Sequence, residues 1–253
     1  RNTNLDLKLK FMEAQSLWRK GTVASLMSYG QAAQELIDME PEYAGGYVLL
    51  GWYHWLLALS GKSSDESVAK AFKLAQKALS LDEHSSHSYA LLSNLYTMVR
   101  QYDKAVVTGE RGVALNPNGA NNHCALGITL SYAGKPNEAI GHLKQAIRLD
   151  PFPEYYYFTH LGRCYRMTGQ YKEALSEFKK ALHVAPKNEF NYKQLTSIYV
   201  LLNQHEQAEA AAKKLLGMDP DFSVKHYSKT IPYKNHADLL LHVNALRKAG
   251  LPD

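Results

Sequence analysis

Apolar positions in this chain recur every three to four residues, in paired runs separated by short breaks. Between Leu161 and Pro186, the residues Leu161, Gly162 and Tyr165 share one face, Gly169 interrupts, Ala174, Phe178 and Ala181 share the next, and Pro186 ends the unit. Apolar residues at i, i+4 and i+7 specify an amphipathic helix, so the stretch predicts two helices joined by a tight turn. The frame recurs on either side. Ala105, Ala139, Ala174 and Ala208 stand at intervals of 34, 35 and 34 residues, and Pro117, Pro151, Pro186 and Pro220 repeat those intervals. The larger side chain of each first helix runs Tyr96, Leu130, Tyr165, Tyr199. The one-residue excess falls between Pro151 and Leu161, where Pro153 is expected to open the next helix. A fixed period of this length means stacked helix pairs, none of which buries its apolar face alone.

Each marker has a physical reason. Gly162, Ala174 and Ala181 let two helices approach closely, and the Tyr and Phe positions fill the space between them. Gly134 and Gly169 suit the left-handed residue that closes a first helix, and Pro136 suits the first turn of a second. Upstream, Tyr47, Leu50 and Gly51 open a further pair and Ala71, Ala75 and Ala78 close it. This pair carries about eight extra residues, including Gly61, Lys62, Ser63, Ser64 and Asp65, which read as a loop. Leu5–Trp18 and Leu26–Met39 make a degenerate first pair ending at Pro41. After Pro220, Phe222–Lys229 reads as a short helix broken at Ile231 and Pro232. His236–Lys248 is a last amphipathic helix, with Leu239, Val243 and Leu246 on one face and Gly250 and Pro252 behind it. It is expected to cover the exposed end of the stack. No strand alternation occurs. The expected fold is all-α: about six helix pairs in a right-handed superhelix, with a C-terminal capping helix.

Composition narrows the chemistry. The 253 residues are 45% hydrophobic and 21% charged, with a net charge of +5. No block of like charges marks a nucleic-acid tail, so no nucleic acid is expected as partner. The longest apolar run, Tyr47–Leu59, is too short to span a bilayer, so no membrane insertion is expected. Cys124 and Cys164 fit no disulfide framework or metal knuckle and read as free buried thiols of a cytoplasmic protein. His84 with His87, and His160 with Cys164, lack further ligands for zinc. There is no phosphate-binding GxxxxGK[ST], no GxSxG and no HExxH. No cofactor, metal or catalysis is expected. The chain opens on Arg1 with no secretory signal, so it is expected to be a fragment or a processed chain.

The frame Leu161, Gly162, Tyr165, Ala174, Phe178, Ala181, Pro186 resembles the tetratricopeptide repeat. On that resemblance the repeats run 5–41, 44–83, 86–117, 120–151, 154–186 and 189–220, with a cap at 222–253. Departures from the plain repeat are the expanded LGWYHWLLALSGKSSDESVAKAFKLAQKALSLD, the segment LDPFPEYYYFTHLG, and the tail DPDFSVKHYSKTIPYK with LRKAGLPD. Together they resemble the C-terminal repeat region of bacterial multidomain proteins that carry a class III adenylate/guanylate cyclase domain. The resemblance implies a protein-interaction or scaffold module of a signalling protein, binding a peptide or a partner domain in its concave groove. The alternative is a self-association module, acting as a homodimer, that positions an upstream cyclase. Carried onto this frame, the groove lining comprises Trp52, Trp55, Asn94, Met98, Tyr132, Tyr156, Arg163, Arg166 and Lys193. The basic cluster Arg163, Arg166 and Lys193 would suit a peptide with acidic and apolar side chains. The competing reading makes these ordinary packing positions. The Lys and Asn pattern of a chaperone carboxylate clamp is missing: Ala90 and Ser197 stand where Lys and Asn would be needed. The run Tyr155–Phe158 reads as packing between repeats, with one or two rings toward the groove.

Overall fold

The computed structural model describes residues 3–20, 22–59 and 64–253. Among the described residues there are fourteen α-helices and no strand. Twelve helices form six consecutive pairs: α1 (Thr3–Lys20) and α2 (Val23–Met39), α3 (Ala44–Leu59) and α4 (Ser64–Leu81), α5 (Ser86–Met98) and α6 (Tyr102–Leu115), α7 (Ala120–Tyr132) and α8 (Pro136–Leu149), α9 (Tyr155–Met167) and α10 (Tyr171–Val184), α11 (Glu189–Leu201) and α12 (His205–Met218). Each first helix packs on its partner, each second helix from α2 to α10 packs on the first helix of the next pair, and from α3 to α11 successive first helices also touch one another. The result is a superhelical stack whose first helices are the inner layer. The short α13 (Val224–Thr230) and the capping α14 (His236–Lys248) complete it.

The close approach within pairs is set by small residues. A Cβ on Gly162 would stand 2.5 Å from Phe178 Cε1 and 3.1 Å from the Ala174 carbonyl oxygen. Phe178 is therefore seated against bare backbone, fully buried. The turn inside each of four pairs is closed the same way. Arg100, Gly134, Gly169 and Asn203 are all left-handed, with φ of 61°, 82°, 76° and 57°. The next amide donates back to Tyr96, Leu130, Tyr165 and Tyr199 carbonyls at 2.8–2.9 Å. That bond satisfies a carbonyl the helix end would orphan. Sequence spacing locates the two glycines; of the outer two, Asn203 is of a type that adopts this conformation readily, whereas Arg100 has no compositional signature. An L-residue there carries a strain of roughly 1 kcal/mol.

Three local expectations change. Residues 150–153 turn away from helix because Asp150 Oδ1 accepts from the Phe152 amide at 2.9 Å. Helix α9 therefore starts at Tyr155, after an extended Glu154, and not at Pro153. In the expanded pair, Gly61, Lys62 and Ser63 lie outside the described residues. Helix α4 already begins at Ser64, with Asp65 and Glu66 in its first turn, where acidic side chains meet the positive helix end. α3 and α4 have 16 and 18 residues, against 13 and 14 in α5 and α6. The insertion therefore lengthens both helices. In the tail, α13 is shifted to Val224–Thr230 because the Ser223 hydroxyl caps it, accepting from the His226 amide.

The cap covers the end of the stack. Val243, Leu246 and Leu251 join Ile198 and Leu215 in one apolar cluster, and Gly250 (φ 83°) ends α14. Cys124 and Cys164 are free and buried. Among the described residues, no helix is long and apolar enough to cross a membrane, and no group of three or more His, Cys, Asp or Glu side chains is placed to hold a metal ion.

Candidate functional site: a concave face closed by both ends of the chain

The nine residues expected along the groove all lie on first helices, but the structure divides them into three groups. Trp52, Trp55 and Tyr156 belong to an aromatic cluster. The rings of Trp52 and Trp55 meet edge-on at 5.2 Å. The ring between Trp52 and Tyr156 is Trp18 of α1, edge-on to both at 6.3 Å and 6.0 Å. One residue on, Arg19 Nε donates to Glu154 Oε1 at 2.8 Å. The end of α1 thus reaches across to the start of α9. Tyr156 and Tyr157 hydroxyls both donate to Asn121 Oδ1, at 3.0 and 2.7 Å. Burial pushes the Glu154 carboxyl up to about 7, against the opposing pull of Arg19.

Asn94 and Met98 lie in the middle. Asn94 is buried, its Nδ2 donating to the Ala90 and Ala125 carbonyls at 3.2 and 3.3 Å. It joins α5 to α7 and is not on an open surface. Nearby, Ser93 and Thr129 hydroxyls are 2.7 Å apart. Met98 is half-buried against the cluster of Trp55, Leu92 and Leu95.

Tyr132, Arg163, Arg166 and Lys193 form the third group, which holds the expected basic cluster. Arg163 and Arg166 are each only 1% exposed and Lys193 7%, because the tail from Phe222 to Lys234 lies over them. Arg163 stacks on Tyr132, 4.0 Å from the ring centre, with Tyr233 at 5.6 Å. Its Nη1 and Nη2 donate to Tyr132 OH at 2.7 Å and Ser131 Oγ at 2.9 Å. Arg166 Nη1 donates to Gln194 Oε1 at 2.7 Å, and Nη2 to Tyr233 OH at 3.1 Å. Lys193 lies over the rings of Phe222 and Tyr227. Neither guanidinium has a carboxylate within ion-pairing distance among the described residues, and both Nε–H groups are buried without a partner. The buried His242, 3.3 Å from Tyr227 OH, is held well below its usual pKa, first by burial and then by Arg166, Arg163 and Lys193.

The tail is also fixed through its backbone. The Lys234 amide donates to the Tyr132 carbonyl at 2.9 Å. Arg100, one of the strained turn residues, donates to the Tyr233 and Ile231 carbonyls at 3.2 and 3.3 Å. Tyr102 OH donates to the Pro232 carbonyl at 3.1 Å. Trp18, Arg19, Glu154, Arg100 and Tyr233 were not among the expected site residues. Their long-range contacts join positions from 67 to 138 residues apart, beyond the reach of any local pattern.

Comparison with known proteins places this arrangement. Two tetratricopeptide repeat models match residues 124–189 and 193–222. Anaphase-promoting complex subunit 3 of Schizosaccharomyces pombe is 21% identical over 173 residues, 68% of this chain and 26% of that protein. The small glutamine-rich tetratricopeptide repeat-containing protein 2 of Mycosarcoma maydis is 27% identical over 148 residues, 58% of this chain and 37% of that one. The chain thus spans well under half the length of these curated relatives. Among solved structures, the human IFIT1 dimer with m7Gppp-AAAA superposes with a TM-score of 0.72 at 15% identity, covering 98% of this chain and 60% of that one. The Cut9–Hcn1 heterotetramer of the anaphase-promoting complex does so with 0.67 at 13%, covering 96% and 46%. At such identities the structures share the fold alone. The matched models, the 34-residue frame and the stacked helix pairs show tetratricopeptide repeats at residues 124–189 and 193–222, within an all-α stack consistent with a tetratricopeptide-repeat superhelix.

Proposed function

We propose that the chain is a protein-interaction module whose concave face takes up a peptide segment. One observation supports this above others: the polar half of that face already holds a peptide. Residues 222–234 lie on it through ring contacts and backbone hydrogen bonds, as a bound segment would. A stack of packed helices offers such a segment a preformed surface, so little ordering entropy is lost on binding. The test is to select peptides against the full chain from a random library and map them by cross-linking. Cross-links on α5, α7, α9 and α11 support the reading, and cross-links confined to α6, α8, α10 and α12 overturn it.

A second reading, self-association, is favoured by Leu5, Leu9, Met12 and Met27, large apolar side chains left exposed on the first helix pair. Sedimentation over a wide concentration range tests it; a strict monomer excludes it. Service to a bacterial cyclase-type signalling protein remains a proposal from the expanded second pair and the tail. The sequence encoded ahead of Arg1 decides it.

A further inference from the structure

We propose that Arg163 and Arg166 form a recognition site for the acidic side chains of a partner peptide, and that Phe222–Lys234 is a resident competitor that must leave before that peptide binds. This rests on the groove-binding reading above and specifies its ligand.

The first argument is the state of the two guanidinium groups. Taking an ion out of water costs on the order of several kcal/mol, and an oppositely charged, well-oriented partner normally offsets it. Arg163 and Arg166 are fully buried, yet meet only neutral oxygens from tyrosine, serine and glutamine, and each keeps an unbonded Nε–H. A carboxylate in the place of the Tyr233 hydroxyl would give charge-assisted, bidentate bonds, about twice as strong as neutral ones.

The second argument is the charge of the segment that covers them. Phe222–Lys234 carries Lys225, Lys229 and Lys234 and no acidic residue. A cationic strap on a cationic cage is complementary in shape and not in charge. Phe222, Val224, Ile231 and Tyr233 seat the strap in the apolar cluster, but it offers the two guanidinium groups no anion, and on that point an acidic segment has the advantage.

The third argument is that the face reads peptide backbone. The Tyr132 carbonyl accepts an amide, and Arg100 and Tyr102 grip three successive carbonyls, at Ile231, Pro232 and Tyr233. A peptide presents that amide and those three carbonyls in the order of one continuous backbone. Phe222 and Tyr227 fill apolar positions beside Lys193, so the incoming segment should alternate acidic with large apolar residues.

The probe is a fluorescein-labelled twelve-residue peptide alternating Glu with Phe or Leu, titrated by polarisation into the full chain. Tyr233→Ala, which loosens the strap, should bind it at least tenfold more tightly than wild type. Adding Arg163→Met and Arg166→Met should remove that gain, and a peptide with Lys for Glu should not bind. In the wild-type chain the Glu peptide should speed hydrogen exchange of the 222–234 amides and the Lys peptide should not, a measurement independent of any variant's folding. Equal affinity of wild type and Tyr233→Ala, together with unchanged exchange, overturns the competitor. Binding that survives the Arg→Met changes overturns the cage. A labelled single-stranded oligonucleotide that binds more tightly than the Glu peptide overturns the ligand class. If a neutral peptide displaces the strap and the acidic one does not, groove binding stands and this inference falls. If no peptide binds wild type or Tyr233→Ala, both fall.

Discussion

At one end of the concave face Trp18 sits between Trp52 and Tyr156; at the other, Tyr233 sits against Arg163 and Arg166. Both are closures made by a terminal segment, and both use aromatic rings. They differ in what they cover. The α1 closure buries apolar rings and one carboxylate that has its own cation, Arg19. The tail closure buries two cations with no carboxylate in ion-pairing distance among the described residues, Asp238 of α14 acting on Arg166 only at longer range. Both gain from exclusion of water at their apolar side chains, Phe222, Val224, Ile231 and Tyr233 of the tail included, but only the second takes two guanidinium groups out of water with it. On the proposal above, the tail is therefore the exchangeable cover and the α1 closure is not.

Trp18→Ala should give the largest effect, a loss of about 3 kcal/mol, the lower end for truncation of a large aromatic because the ring is only half-buried. Urea unfolding measures it, and a loss under about 1 kcal/mol would place Trp18 outside the core. Arg163→Met with Arg166→Met should act in the opposite direction. Replacing buried charge by apolar volume commonly stabilises by about 1–4 kcal/mol, so the melting temperature should rise; a clear fall would erase the contrast between the two ends. Tyr233→Phe should cost about 1.5 kcal/mol, the worth of a hydrogen bond to a charged donor, and nothing when Arg166 is already Met. A double-mutant cycle reads that coupling.

The pH dependence sharpens the other end. Glu154 is held at about 7 in the folded chain against an ordinary 4.5, so between those values the folded state binds more protons than the unfolded. Its contribution is fully present below pH 4.5 and is lost as pH rises through about 7. Glu154→Gln should flatten the stability profile in that window, and an unchanged slope would mean the carboxyl is not held protonated. Arg100→Gly should have the smallest effect. It relieves roughly 1 kcal/mol of left-handed strain and loses two hydrogen bonds to the tail. Global stability should stay nearly constant while the 231–234 amides exchange faster. Unchanged exchange there would show that Arg100 does not hold the tail.

The stack was legible because its information is local and periodic. Ala174, Pro186, Gly134 and Gly169 each answer to a helix face or a turn within a few residues. Arg163 and Arg166 were placed correctly on the inner face, since that also follows from the frame. Their burial was not legible, because it depends on Tyr233, 67 residues beyond Arg166 and outside the periodic region. The same holds for Trp18 and Tyr156. The nearest thing to a signal was negative: a tail rich in Tyr, Phe and Lys with no acid, following an inner face with unpaired arginines. In the expanded pair, residues of loop-forming type proved compatible with a helix start, because Ser64, Asp65 and Glu66 are as suited to a first turn as to a loop.

The bridge from α1 to α9 also changes what kind of mechanical object the solenoid is. An open repeat stack behaves as a spring, each unit coupled only to its neighbours and free to fray from either end. Here Trp18 and Arg19 fasten the first coil to the fifth pair, so the intervening pairs form a closed hoop. Twisting or stretching motions that an open stack would spread along its length are resisted across the hoop by these two contacts. Of the polar group beneath the tail, Tyr132, Arg163 and Arg166 belong to the hoop, and Lys193 on α11 lies beyond it.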